Sequence, residues 1–153
     1  MKKILFTTGT RADYGKLKSI IIRLQKEKKF YVGVFVTGMH NMTLFGATFE
    51  EIKKDKIKNI FRFYNQKRND DMDSILSKTI NGFKQYVKKF SPDLIVVHGD
   101  RVEALACAIV GSLNNIKVAH IEGGEVSGTV DELIRHSVTK LSHIHMVTNN
   151  LAK

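Results

Sequence analysis

Two stretches decide the fold: "DLIVVHGDR" at residues 93–101 and "VAHIEGGEVSGTVDELIRHSVTKLSHIH" at residues 118–145. Each begins with a short apolar run, rich in β-branched residues, that ends in glycine and charged residues. Such runs are typical of buried strands in a parallel sheet, and the interval between them has room for one helix. We therefore predict neighbouring parallel strands whose carboxyl ends carry polar side chains.

The same alternation runs along the whole chain. Short segments rich in β-branched or aromatic residues predict strands at 2–8, 31–37, 57–63, 93–99, 116–122 and 143–149. Longer segments with helical spacing lie between them, at about 14–28, 45–54, 71–90, 101–114 and 130–141. Strands separated by helices indicate βαβ units. We predict an α/β protein, a Rossmann-like α/β/α sandwich with a parallel sheet of about six strands, in one domain over residues 1–153.

Composition narrows the class of protein. A chain of 153 residues, 42% hydrophobic and 26% charged, is typical of one soluble globular domain. Its apolar runs are too short for a transmembrane helix, and "MKKILFTTGT" lacks the length and cleavage site of a signal peptide. The single Cys107 excludes a disulfide framework and fits the cytoplasm. We therefore expect a cytoplasmic protein with no membrane partner.

The formal net charge of +10 raises the question of nucleic-acid binding. Much of this charge lies in "KKDKIKNIFRFYNQKR" at residues 53–68, with more in "RLQKEKK" and "KQYVKKF", and acidic residues lie among these lysines. The sequence contains no helix-turn-helix, zinc-finger or RNP-type motif. We predict no nucleic-acid partner, although a positive field can help to steer an anionic substrate.

Carboxylates follow the two deciding strands. Ligands of open α/β sheets bind outside the carboxyl ends of the strands, so we expect Asp100 and Glu122 to face one crevice. Asp100 precedes a helix and could equally serve as its N-cap. Glu122 is followed by Gly123 and Gly124, which let a ligand or another backbone approach closely. Glu122 is thus the more specific of the two signals.

Charged residues also mark three other turns. Asp131 opens a helix, where a carboxylate favours the helix dipole, and Arg135 lies one turn later. "GTRADYG" at residues 9–15 can hold an anion through backbone N–H groups and Arg11, or be only a tight turn capped by Asp13. It matches neither a dinucleotide-binding nor a Walker A pattern.

His40 follows a strand, and a histidine in a loop is more often simply exposed than a ligand. The sequence contains no Cys/His cluster, so we predict no metal site.

These motifs resemble a known family. "GTRADYGKL", "TGMH", "DLIVVHGDRVEALACA" and the 118–145 stretch are similar to the N-terminal half of UDP-N-acetylglucosamine 2-epimerases. The similarity is greater to the hydrolysing branch, used in sialic acid and related nonulosonate synthesis. The non-hydrolysing branch has "GD-T" and "EAGLRT" where this chain has "GDR" and "EGGEVSGT".

The resemblance implies a reaction. A base removes the C2 proton of the sugar while the bond between C1 and UDP breaks, which gives a glycal, and water then adds to release N-acetylmannosamine. By position, Asp100, Glu122 and Asp131 match the catalytic carboxylates of the family. Arg11, His40 and Arg135 match positions that bind substrate or diphosphate. No cofactor or metal is implied; the partner is a nucleotide sugar, and the full-length protein is expected to form a homo-oligomer, a dimer or tetramer.

The resemblance also implies a larger architecture. The family has the GT-B arrangement of two Rossmann-like domains with the substrate between them, so we expect this N-terminal domain alone to be inactive. Alternatives remain open: the same chemistry on UDP- or GDP-N,N′-diacetylbacillosamine, a non-hydrolysing epimerase, a nucleotide-sugar glycosyltransferase domain, or a basic nucleic-acid-binding module. The carboxylate cluster argues against the last.

Overall fold

A computed structural model describes residues 1–153 and contains one six-stranded sheet in which every pairing is parallel. The strands are β1 (Lys2–Thr8), β2 (Phe30–Val36), β3 (Ile60–Arg62), β4 (Leu94–His98), β5 (Lys117–Ile121) and β6 (Ile144–Met146). Their order across the sheet is β3-β2-β1-β4-β5-β6. The predicted fold class and number of strands are confirmed.

Five α-helices connect the strands: α1 (Arg11–Leu24), α2 (Phe49–Lys54), α3 (Met72–Phe90), α4 (Val102–Leu113) and α5 (Val130–Leu141). α1 was predicted at about residues 14–28 and lies a few residues earlier in the chain. A capping box of Thr10 and Asp13 starts this helix before its apolar pattern begins. α2 was predicted to begin at about residue 45 but begins at Phe49, after two short 3-10 turns at Gly38–Asn41 and Thr43–Phe45.

The core lies on both faces of the sheet, as alternation along the strands requires. Leu5 of β1 and Ile95 of β4 face the layer of α3, α4 and α5. Their neighbours Ile4 and Val96 face the opposite layer, which α1 and α2 cover. The molecule is therefore a three-layer α/β/α sandwich.

The parallel sheet brings all strand ends that precede helices to one edge. β4 and β5 are paired so that His98 lies opposite Ile121, and the chain leaves both strands at the same level. The turns after β1 and β2 lie beside them, since β1 pairs with both β2 and β4. We call this edge, formed by the ends of β1, β2, β4 and β5, the carboxyl edge.

None of the helices has the combination of length and apolar character that a membrane crossing requires.

Candidate active site

Glu122 occupies a strained position directly after β5. Its φ is +61°, in the left-handed region that non-glycine residues seldom adopt. The backbone N–H of Glu122 donates to the carbonyl of Met146 at 2.9 Å, which fixes the turn. The side chain is 26% exposed, so its carboxylate is accessible at the carboxyl edge. Strain of this kind persists where the surrounding structure imposes it, often at functional sites.

The two glycines after Glu122 allow close packing of protein on protein. A Cβ on Gly123 would lie 2.7 Å from His120 Nδ1 and 2.8 Å from Thr139 Oγ1. A Cβ on Gly124, whose φ is +86°, would lie 1.9 Å from the carbonyl oxygen of Ala152. Of the two reasons offered for these glycines, the structure therefore supports approach of the chain itself.

Lys16 and His98 contact the same oxygen of Glu122. Lys16 Nζ of α1 forms an ion pair with Oε2, and His98 Nε2 lies 3.1 Å from that oxygen. The imidazole is not aligned for a straight hydrogen bond, so this second contact is mainly electrostatic. Burial favours a higher pKa for Glu122, but Lys16 and His98 outweigh burial and lower it. Glu122 is therefore ionised at neutral pH.

Asp13 completes a chain of buried charges. Its Oδ1 lies 3.0 Å from His98 Nδ1, while Oδ2 accepts from the N–H groups of Gly9 at 3.2 Å and Thr10 at 2.9 Å. Burial opposes the charge of Asp13, but its hydrogen bond with His98 and these backbone donors lower its pKa overall. The cap predicted from the sequence is present, and the same carboxylate also holds His98.

Asp100 pairs with Arg135 and does not cap α4. The helix N-cap is Arg101, without a side-chain cap bond, whereas Asp100 Oδ2 forms an ion pair with Arg135 Nη2. Arg135 is buried, and its Nη1 also donates to the carbonyl of Glu125 at 2.6 Å. The capping alternative for Asp100 is therefore wrong, and Arg135 joins α5 to the loop after β4.

His120 fixes the turn that carries Asp100. Its Nε2 lies 2.7 Å from the carbonyl oxygen of Gly99, and its Nδ1 lies 3.0 Å from Thr139 Oγ1. Because a carbonyl only accepts, Nε2 carries the proton and Nδ1 accepts from the hydroxyl. Burial lowers the pKa of His120, which fits this neutral tautomer. His120 is therefore a hydrogen-bonded histidine of the core.

Asp131 is exposed in the first turn of α5, one helical turn before Arg135. It makes no hydrogen bond or ion pair with the protein, and the N-cap of α5 is Thr129. The neighbouring Glu132 instead accepts from the N–H groups of Ser127 at 2.7 Å and Gly128 at 2.5 Å. Asp131 therefore presents an uncommitted carboxylate beside the Asp100–Arg135 pair.

Arg11 and His40 lie outside this network. Arg11, at the start of α1, has a side chain 75% exposed that pairs with Glu51 of α2 at 3.2 Å. His40 is completely buried, with Nε2 2.9 Å from Thr8 Oγ1 and Nδ1 2.7 Å from Thr48 Oγ1. Burial lowers the pKa of His40 to about 4, so it is neutral. A direct substrate contact of His40 stays a prediction, since both ring nitrogens are already bonded.

Neither the role of Lys16 nor the linkage from Asp13 through His98 to Glu122 was predicted from the sequence. A signal was available, because Asp13 and Lys16 are three residues apart on α1 and share one helix face. α1 follows β1, and β1 is the neighbour of β4 in the sheet. The first turns of α1 therefore lie close to the end of β4. The arrangement offers ionised carboxylates beside cations, which suits proton transfer on an anionic substrate.

Comparisons with known proteins agree with the family resemblance seen in the sequence motifs. A family model described as UDP-N-acetylglucosamine 2-epimerase matches residues 22–153. The chain is 45% identical over 152 residues to a UDP-N-acetylglucosamine 2-epimerase of Neisseria meningitidis serogroup B, covering 99% of this chain and 40% of that protein. It is 40% identical over 157 residues to the UDP-N,N′-diacetylbacillosamine 2-epimerase (hydrolyzing) of Legionella pneumophila, covering 100% of this chain and 41% of that protein.

Solved structures show the same fold. The structure of UDP-GlcNAc 2-epimerase (UDP-GlcNAc being UDP-N-acetylglucosamine) from Neisseria meningitidis, bound to UDP-GlcNAc, matches with a TM-score of 0.86 and 25% identity. The match covers 98% of this chain and 41% of that one. The chain thus spans about two fifths of the length of the relatives that it matches.

Proposed function

This chain belongs to the UDP-N-acetylglucosamine 2-epimerase family, and from that premise we propose that it supplies the catalytic carboxylates of a hydrolysing 2-epimerase. The proposed reaction converts UDP-GlcNAc and water to N-acetylmannosamine and UDP. Glu122 carries the proposal, because it is an ionised, partly exposed carboxylate held in a strained turn at the carboxyl edge.

In the proposed first step, Glu122 takes the proton from C2 of the sugar. The C2–H electrons form the C1–C2 double bond as the bond from C1 to the UDP oxygen breaks, and UDP leaves with that electron pair. Negative charge grows on the diphosphate, so a cation such as Lys16 at this edge stabilises the transition state more than the bound substrate.

In the proposed second step, water adds across the double bond of the glycal. One carboxylic acid protonates C2 from the opposite face, while a second carboxylate takes a proton from water as the hydroxide bonds to C1. The proton that Glu122 received leaves to solvent as the products depart. Asp100 and Asp131 lie on the α5 side of the carboxyl edge, and Asp131 has no protein partner that would compete for a proton. We assign these two residues to the acid–base groups of the site, without dividing the two half-reactions between them.

Two observations support water as the acceptor. The segment "EGGEVSGT" at residues 122–129 resembles the hydrolysing branch, and a relative 40% identical over the whole chain carries "hydrolyzing" in its name. That relative also supports a second candidate substrate, UDP-N,N′-diacetylbacillosamine. Both candidates share the acetamido group at C2 and the nucleoside diphosphate at C1, so one set of carboxylates serves either.

We propose that residues 1–153 form one of two domains that enclose the substrate. Glu122 is 26% exposed at the carboxyl edge, and a second domain over that edge would supply the contacts that hold a nucleoside diphosphate. Binding energy from the diphosphate end positions the sugar, so this domain alone should lack turnover. The homo-oligomer expected of the full-length protein is part of the same proposal.

A substrate comparison tests the proposed function. The full-length protein is incubated separately with UDP-GlcNAc and UDP-N,N′-diacetylbacillosamine, and the released UDP and the free sugar are quantified together. We expect equal amounts of UDP and free 2-epimerised sugar from the preferred substrate. Release of UDP with an unepimerised sugar, or of a UDP-linked product, would refute the hydrolysing assignment.

A further inference from the structure

His98, the last residue of β4, lies between two carboxylates. Its Nδ1 is 3.0 Å from Asp13 Oδ1, and its Nε2 is 3.1 Å from Glu122 Oε2. The side chain is only 8% exposed, so water cannot easily replace either contact. A neutral imidazole has one N–H, and its other nitrogen would turn a lone pair towards a carboxylate oxygen. Both contacts are attractive only when both nitrogens carry protons.

We propose that His98 is an imidazolium at neutral pH and positions Glu122 for catalysis without touching the substrate. The proposal rests on the proposed function, because it takes Glu122 as the base that acts at C2. It deepens that function by naming the group that orients the base and keeps it ionised.

Asp13 anchors the imidazolium. The N–H groups of Gly9 and Thr10 bind Oδ2, which leaves Oδ1 for His98. These donors belong to the turn between β1 and α1, so the capping box of α1 also fixes the ring of His98. A side chain held in this way keeps its orientation while substrate enters and leaves.

The geometry also selects one oxygen of Glu122. Lys16 and His98 both contact Oε2, and no protein group contacts Oε1. The side chain of Lys16 is 52% exposed and can turn towards an anionic substrate, whereas His98 is buried and cannot move away. His98 therefore continues to hold Oε2 during the reaction, and Oε1 is the oxygen that receives the C2 proton.

The charges around His98 agree with this assignment. Asp13 and Lys16 face it from α1, and His120 and Glu122 face it from β5 and the turn after β5. Burial lowers the pKa of His98, but the hydrogen bond and charge of Asp13, with the charge of Glu122, raise it above the ordinary value. An imidazolium cannot accept a further proton, so His98 orients Glu122 and does not shuttle protons from it.

The charge state of His98 can be measured directly. The full chain is labelled with ¹⁵N-histidine, the signal of His98 is assigned with His98→Gln, and its two ring nitrogens are followed by NMR from pH 5 to 9. We expect both nitrogens to be protonated at pH 7, with a midpoint above the ordinary value of about 6.5. A single neutral tautomer at pH 7 would overturn the proposal, whatever the activity of the protein.

Asp13→Asn is the matched variant, because asparagine can keep the cap through its oxygen. Its amide would then donate to His98 Nδ1, which should leave a neutral ring with the proton on Nε2. We expect the midpoint of His98 to fall below about 6.5 at an unchanged fold. A midpoint that does not move on loss of the Asp13 charge would also contradict the proposal.

Kinetics of the full-length protein separate positioning from a merely structural role. We expect His98→Gln to lower kcat at least about tenfold with little change in KM, the scale of lost acid–base positioning. The acid limb of the kcat profile should move to higher pH, since Glu122 loses a neighbouring cation. A variant that only melts earlier, with the acid limb in place, would show that His98 is structural. Failure of the epimerase assay in the wild type would instead refute the proposed function.

Discussion

At Glu122 the chain accepts a conformation that costs about 1–2 kcal/mol for a residue with a Cβ. A glycine would avoid this cost, and two glycines follow immediately, so the position requires the side chain of Glu122 itself. Lys16 and His98 then hold one oxygen of that side chain. The local strain is therefore best explained by the chemistry of the carboxylate.

Glu122→Gln in the full-length protein should abolish turnover without unfolding it. Glutamine has nearly the same shape and can still contact Lys16 and His98, but it cannot accept a proton as a carboxylate does. Activity is measured by UDP release, and folding by the melting temperature. Activity within about tenfold of the wild type at an unchanged melting temperature would show that Glu122 is not the base.

Asp100→Asn and Asp131→Asn should both lower turnover by about a hundredfold or more, but only the first should lower the melting temperature. Asp100 neutralises the buried Arg135, which loses its charged partner in the variant, whereas Asp131 has no protein partner to lose. UDP-release assays measure the turnover of the two variants, and thermal melts measure their melting temperatures. Near-normal turnover in either variant would remove that residue from the catalytic set.

The chemistry of these residues was readable from the sequence, but their partners were not. Asp100 and Glu122 were predictable because each ends a buried apolar run. Pairing of Glu122 with Lys16 spans 106 residues and depends on how α1 packs across the sheet. A local pattern contains no such information, so the capping alternative for Asp100 could be settled only in three dimensions.

Among the elements of the carboxyl edge, the turn after β2 has a buried histidine whose protonation opposes folding. The pKa of His40 is about 4 in the folded chain against about 6.5 when unfolded. Between these values the unfolded state binds more protons, so stability contributed by neutral His40 is present above pH 6.5 and lost as pH falls towards 4. The loss amounts to roughly 3 kcal/mol.

His40→Gln should therefore flatten the pH dependence of unfolding between pH 6.5 and 4. Denaturant unfolding of the wild type and the variant is measured at several pH values in that range. The difference between their free energies of unfolding gives the contribution of His40. Contributions of His98 and His120 are present in both proteins and cancel in the comparison. Parallel stability curves for the two proteins over this range would contradict the buried neutral state.

Two glycines at equivalent strand ends provide a matched test of how closely the turns of the carboxyl edge are packed. Gly38 after β2 and Gly99 after β4 have φ of +62° and +70°. A Cβ on Gly38 would lie 2.6 Å from Glu103 Oε1 and 2.7 Å from the carbonyl oxygen of Gly9, whereas one on Gly99 meets nothing within 4 Å. The two sites therefore share backbone strain and differ only in crowding.

Gly99→Ala should destabilise the chain by about 1–2 kcal/mol, the cost of a left-handed alanine. Gly38→Ala should cost about 1–3 kcal/mol more, because the carboxylate of Glu103 and the turn at Gly9 must shift. Chemical denaturation of both variants measures the difference. Equal destabilisation would mean that the turns after β1 and β2 are not packed as closely as described.

Element types were predicted more reliably than element boundaries. The buried strands β4 and β5 were found within a residue at each end, because continuous apolar runs define them. β3 and β6 are only three residues long, and the strands predicted there were too long. An edge strand ends where its pairing with the one neighbouring strand ends, and the sequence does not show that point. The start of α1 was set by side-chain capping, which apolar periodicity does not register.

At the scale of the whole molecule, a sheet covered on both faces places the candidate site at its carboxyl edge. The two layers of core residues keep the strands in register, and the parallel order gathers the turns after β1, β2, β4 and β5. Carboxylates on those turns are thereby placed by the rigid sheet and not by flexible loops. The chain spans about two fifths of the length of the relatives that it matches.

The most direct test of the account follows the C2 hydrogen of the substrate. The full-length protein is incubated with UDP-GlcNAc in deuterated water, and the products are observed by proton NMR from the first turnovers. Removal of the C2 proton and addition of water predict free N-acetylmannosamine that carries deuterium at C2, together with an equal amount of UDP. A free sugar that retains its C2 proton, or UDP-N-acetylmannosamine as the first product, would contradict it.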